Sequence, residues 1–131
     1  MSRLAVKALG KAPDAVAPDG TAVRLLNALA GGSFAHFELP AGAVSRAIAH
    51  KTVEEIWYFV SGRGKVWRRL GDEESFVDVG PGVSVTIPLG ANFQFRAEPQ
   101  AALAFVAVTM PPWPGDEEAL AVAGPWSPTV C

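Results

Sequence analysis

Short apolar runs broken by Gly- and Pro-containing segments set the rhythm of this chain. The breaks include Ala17-Pro18-Asp19-Gly20, Gly31-Gly32, Pro40-Ala41-Gly42, Ser61-Gly62-Arg63-Gly64, Gly71-Asp72-Glu73-Glu74, Gly80-Pro81-Gly82 and Pro88-Leu89-Gly90. Pro presets φ and Gly tolerates positive φ, so each break reads as a turn. The runs between them predict strands at 21–29, 33–39, 44–50, 55–60, 65–70, 75–79, 83–87, 92–97 and 101–109. Short strands with regular turn signals predict an all-β sandwich or barrel.

The tail has a different texture. Met110-Pro111-Pro112-Trp113-Pro114-Gly115 cannot continue a ladder, because its prolines lack N–H donors. The stretch 116–122 predicts a short helix with Asp116 as N-cap and Glu117 and Glu118 in the first turn, stopped by Gly124-Pro125-Trp126-Ser127-Pro128. Trp113 and Trp126 are expected to pack on the outer face of the barrel or on a second subunit.

At 131 residues the chain fits one domain, with a barrel core at about 21–109 and a tail at 110–131. Half of its residues are hydrophobic, enough for a sizeable core, and the net charge is −2. The one basic cluster, Arg63, Lys65, Arg68 and Arg69, is interrupted by Trp67 and followed by Asp72, Glu73 and Glu74. It reads as a solvated strand pair, so no nucleic-acid partner is expected. A single cysteine, Cys131, permits no internal disulfide. With no secretory leader and no apolar run of membrane-spanning length, the expectation is a cytoplasmic protein with no membrane partner.

Candidate chemistry concentrates between Gly42 and Gly62. Alternation along a strand puts Arg46, Ile48 and His50 on one face, and Glu55, Trp57 and Phe59 on one face of the next strand. If His50 and Glu55 point inward, they form a polar pair walled by Ile48, Trp57 and Phe59, the usual form of a small-molecule site. The competing reading makes His50 a hydrogen-bonded structural residue. An inward Glu55 needs His50, Arg46 or a cation, because an unpaired buried carboxylate is costly. Glu54 is expected to face outward. His36 and Glu38 share a strand face, read first as an exposed or interface pair. No nucleophile elbow surrounds Ser33, Ser45 or Ser61, and Gly62-Arg63-Gly64 is too short for a dinucleotide fingerprint.

The spacing of Gly42, His50, Glu55 and Gly62, followed by Gly82, Pro88 and Gly90, resembles the two motifs of the cupin family over about residues 34–109. The run EEIWYFVSGRGKVWRR, with VTIPLGANFQFR and TMPPWPG, resembles one subgroup of small bacterial single-domain cupins with no established reaction. The resemblance implies a cupin-type double-stranded β-helix, a jelly-roll barrel. It also implies a metal site of three His and one Glu, suited to divalent iron, manganese, nickel or zinc. Here Ile48 stands at the first His position, Phe93 at the third His position and Ala97 at the closing Asn position. His50 and Glu55 remain as metal candidates. Either one divalent transition metal or a metal-free interior stays open. A one-residue shortening after Gly90 would instead turn Asn92, Gln94 and Arg96 inward in place of Phe93 and Phe95.

Three readings follow. In the first, a small organic acid or related metabolite is transformed, with His50 and Glu55 as acid–base groups and Arg46 or Arg96 holding a carboxylate. In the second, a metal-free module binds or senses a small ligand against Arg46, Trp57, Phe59, Asn92, Phe93 and Gln94. In the third, Trp57, Phe59, Phe93 and Phe95 fill the barrel of a structural dimer. The N-terminal strand and the Trp-bearing tail need cover, so a homodimer is expected.

Overall fold

A computed structural model describes residues 4–130 as two facing antiparallel sheets. The strands are β1 (Ala15–Val16), β2 (Ala22–Leu29), β3 (Gly32–Leu39), β4 (Ile48–His50), β5 (Glu54–Ser61), β6 (Gly64–Leu70), β7 (Glu73–Val79), β8 (Ser84–Ile87), β9 (Asn92–Ala97), β10 (Leu103–Met110) and β11 (Ala119–Ala121). One sheet runs β1-β2-β3-β10-β5-β8 and the other β11-β4-β9-β6-β7. This is the all-β jelly-roll barrel expected. Cys131 lies outside the described residues.

Strict alternation builds the walls. In β5, Glu55, Trp57 and Phe59 are buried while Glu54, Ile56, Tyr58 and Val60 face water. β8 alternates in the same way, with Val85 and Ile87 inside. The inward aromatics of the two sheets interlock. Trp57 stacks on Phe105 with centroids 4.2 Å apart, and meets Phe93 and Phe95 edge-on at 5.3 and 5.2 Å. Burying each such ring contributes about 2–3 kcal/mol from area alone, with contact geometry adding to it.

The framework glycines of the two motifs are turn residues. Gly42, Gly62, Gly82 and Gly90 all have positive φ. At Gly62 space is also decisive, since a Cβ there would lie 2.0 Å from the Ala102 carbonyl oxygen.

Local signals failed in two places. The strand predicted at 44–50 shrinks to Ile48–His50, preceded by a lone bridge between Val44 and Arg96. There the Ser45 hydroxyl takes over part of the ladder and accepts a bond from the Phe95 N–H at 3.0 Å. The helix predicted at 116–122 is one 3-10 turn, Asp116–Glu118, with Gly115 rather than Asp116 at the N-cap and no side-chain cap. Ala119–Ala121 extends instead and pairs with β4, because the edge of β4 offers backbone partners that outweigh weak helix propensity.

Candidate functional site

A cavity of about 430 Å³ opens at one end of the barrel, between the β1–β2 turn, the inner face of the six-stranded sheet, β4 and the tail. Most of its wall is apolar. Its polar groups are few, and three of them are buried and titratable: Asp19, His50 and Glu55.

His50 closes β4, where all three residues are buried. Its ring packs edge-on against Phe93 at 5.2 Å and Trp113 at 5.5 Å. It is 5 % exposed, and its Nδ1 is buried without a hydrogen-bond partner. Burial pushes the imidazole below its ordinary pKa, partly opposed by Asp19 and Glu118, so the neutral ring is favoured.

Glu55 is held on both oxygens. Trp57 Nε1 donates to Oε1 at 3.0 Å, and Thr109 Oγ1 donates to Oε2 at 2.5 Å. Thr109 sits directly opposite Glu55 in the β5–β10 ladder. Burial raises the Glu55 pKa against the pull of these two donors. Asp19 is a turn residue whose Oδ1 accepts from the Thr21 N–H at 3.0 Å and hydroxyl at 2.7 Å. Burial raises its pKa too; the Thr21 bonds oppose this, while Glu55 adds to the rise and His50 subtracts from it.

Glu118, behind this group, fixes the spacing of His50 and Glu55. Its carboxylate accepts from the Thr52 hydroxyl, the Thr52 N–H and the Val53 N–H, and its carbonyl accepts from the Lys51 N–H. Burial works against its charge, yet these donors and nearby His50 outweigh it and hold the carboxyl below its ordinary value.

His50, Glu55 and Trp57 therefore line one cavity, although no hydrogen bond links His50 to Glu55. Phe93 is buried beneath the imidazole, and Phe59 lies deeper in the core. The other expected ligand contacts lie elsewhere. Arg46 is exposed and donates to the Pro18 carbonyl at 3.2 Å. Asn92 pairs with Ala49 and Arg69 in its sheet and is outside the cavity wall. Gln94 is buried but holds the tail, donating to the carbonyls of Ser45 and Trp126 at 2.8 and 2.9 Å. Arg96 lies over the Trp126 ring. His36 lies in line with Arg24 across the β2–β3 ladder, and Glu38 pairs with Arg24 at 3.1 Å; neither residue lines the cavity.

Asp19, Thr109 and Trp113 were missed by sequence reasoning. Asp19 reads locally as a turn former. Trp113 enters the cavity wall, with its N–H donating to Ser33 Oγ at 2.9 Å, whereas Trp126 packs outside against Phe76.

The cupin metal site does not fit these residues. Ile48 and Phe93, which stand at two of the three His positions, carry no atoms that can ligate an ion. Among the described residues no group of three His, Cys, Asp or Glu side chains is arranged to hold an ion.

Two sheets, glycine turns and an interior site define a cupin, and the family model described as "Cupin domain" matches residues 35–109. The chain belongs to that family. Among solved structures it is similar to Streptomyces PAC13 with uridine (10% identity, TM-score 0.71, covering 93% of this chain and 92% of that one). Another PAC13 structure carries the description "a unique nucleoside dehydratase". CapF, a capsular polysaccharide assembling protein of Staphylococcus aureus, aligns at 17% identity and TM-score 0.70, over 81% of this chain but only 33% of CapF. The chain thus spans about a third of CapF's length. BH2720 of Bacillus halodurans aligns at 18% identity and TM-score 0.64, over 71% of this chain and 72% of that one. No curated protein matches the sequence. At these identities the likeness establishes the fold. Among the described residues no helix is long and apolar enough to cross a membrane.

Proposed function

We propose that this cupin binds a small organic molecule in the barrel cavity and presents His50 to it for proton transfer, without a resident metal. The observation that carries the reading is a mostly apolar cavity into whose wall the buried side chains of His50 and Glu55 converge. A neutral imidazole can accept at one nitrogen and donate at the other, which suits general acid–base work. Glu55, held by Trp57 and Thr109, is a buried carboxyl whose raised pKa suits the complementary role. A barrel packed solid by its aromatics would leave no space of this size.

Trp57 and Trp113 line the cavity, so tryptophan fluorescence reports occupancy. A panel of neutral and charged aromatic fragments, with uridine included because PAC13 was solved with it, is titrated against wild type and His50→Phe. Binders of the wild type are expected to weaken at least tenfold in a variant that keeps its melting temperature. Binding that ignores the substitution would sink the reading. Metal analysis after tag-free, chelator-free purification is expected to give well under one ion per chain. A stoichiometric transition ion lost in His50→Phe would overturn the metal-free part.

We also propose a homodimer through the outer face of the six-stranded sheet. Ile56, Tyr58 and Val60 alternate outward on β5, and Phe34 lies in register with Ile56 through Val108, all substantially exposed. Contiguous apolar surface of this kind marks an interface. Light scattering at micromolar concentration is expected to give twice the chain mass, reduced to one by Tyr58→Lys.

A further inference from the structure

We infer that the cavity selects organic cations: a molecule with an apolar body and a protonated amine, received by the carboxyl groups of Asp19 and Glu55 beside His50. This rests on the cavity being the binding site and adds the charge class of its occupant.

The charge inventory is one-sided. Asp19, Glu55 and Asp116 line the cavity, and no Lys or Arg does among the described residues. Arg24, Arg46 and Arg96 are engaged elsewhere. Arg24 bonds the carbonyls of Gly10 and Lys11 and pairs with Glu38, Arg46 bonds Pro18, and Arg96 covers Trp126. A carboxylate or phosphate ligand would be buried among acids with no countercharge, which is heavily unfavourable. The guanidinium clamp expected from Arg46 or Arg96 is therefore missing from the site.

A cation meets the opposite situation. Both Thr21 hydrogen bonds fall on Asp19 Oδ1, and Oδ2 accepts none from the described residues. Each Glu55 oxygen takes one hydrogen bond and keeps further acceptor capacity. Asp19 and Glu55 are 5 and 6 % exposed, burial pushes both towards the neutral acid, and no Lys or Arg in the cavity wall opposes this. An ammonium supplies that missing countercharge. Buried His50 lines the same cavity and lies within electrostatic reach of Asp19, so the three polar groups share one part of the wall. Trp113 adds an aromatic ring to the wall, a surface that suits a cation, and exposed Asp116 adds negative potential at the rim.

The test uses three probes of one shape, phenethylamine, 2-phenylethanol and phenylacetate, titrated calorimetrically into the intact protein at pH 7. The amine is expected to bind at least tenfold tighter than the alcohol, and phenylacetate to give no measurable heat. Asp19→Asn keeps the oxygen that accepts from Thr21, and Glu55→Gln keeps one acceptor for Trp57 while its amide can donate to the Thr109 hydroxyl; together they are expected to bring the amine within threefold of the alcohol. Phenylacetate binding as tightly as the amine overturns the inference, as does an amine preference that survives both substitutions. Alcohol and amine binding equally to wild type also overturns it while leaving the cavity as the binding site. No binding by any of the three, nor by the wider fragment panel, removes the site itself and the inference with it.

Discussion

The two ends of this barrel spend the same aromatic residues in opposite ways. At one end Phe59, Phe95 and Leu103 close into a solid core in which each is fully buried. At the other, Trp57, Phe105 and Trp113 stand around a void and shape it against three buried titratable groups. The solid end stabilises the fold. The hollow end carries polar groups at a cost that the solid end offsets, the usual division between packing and function.

The largest expected effect breaks the solid end. Phe95→Ala opens a hole among Trp57, Phe105 and Val66 and should cost about 3–5 kcal/mol, read as a lower urea midpoint. A smaller effect would mean that the core relaxes into the neighbouring void. Next comes the clasp behind the hollow end. Glu118→Ala strips acceptors from the Thr52 and Val53 amides and should cost about 1–3 kcal/mol. Because those amides lie between His50 and Glu55, ligand affinity should fall with it, and an unchanged affinity would show that the loop holds itself.

Two subtler measurements probe the hollow end by pH. The Glu55 pKa is raised above its unfolded value near 4.5, so its contribution is fully favourable below that pH and is lost as pH climbs through the folded value. Glu55→Gln should therefore raise the melting temperature at pH 7 relative to wild type, and the gain should vanish near pH 4. The His50 pKa is lowered from 6.5. Its contribution is present above pH 6.5 and is lost as pH falls from there through the folded value. Wild type should lose stability over that window more steeply than His50→Phe, and parallel curves would mean that the imidazole is not desolvated.

How far each end could be read from sequence follows the same division. Alternation in β5 and the positive-φ glycines gave nearly every strand, because period-two patterns and turn chemistry are local. His50 and Glu55 were found because they sit five residues apart across one loop. Asp19 and Trp113 reach the same cavity from the β1–β2 turn and from beyond β10, and neither carries a local mark of that destination. The order of faces in β9 was likewise decided by burial: Phe93 and Phe95 fill the interior, and Gln94 turns to the tail. The helix expected after Gly115 failed for a related reason, since propensity over a few residues loses to a strand partner supplied by β4.

The strap formed by residues 112–121 furnishes Trp113 to the cavity, Glu118 to the loop and a strand to the sheet edge. The shape of the cavity can thus drift by editing ten residues sewn on after the last long strand, while strands β2 to β10 stay untouched. An engineer wanting a new guest for the same vessel should begin with that seam.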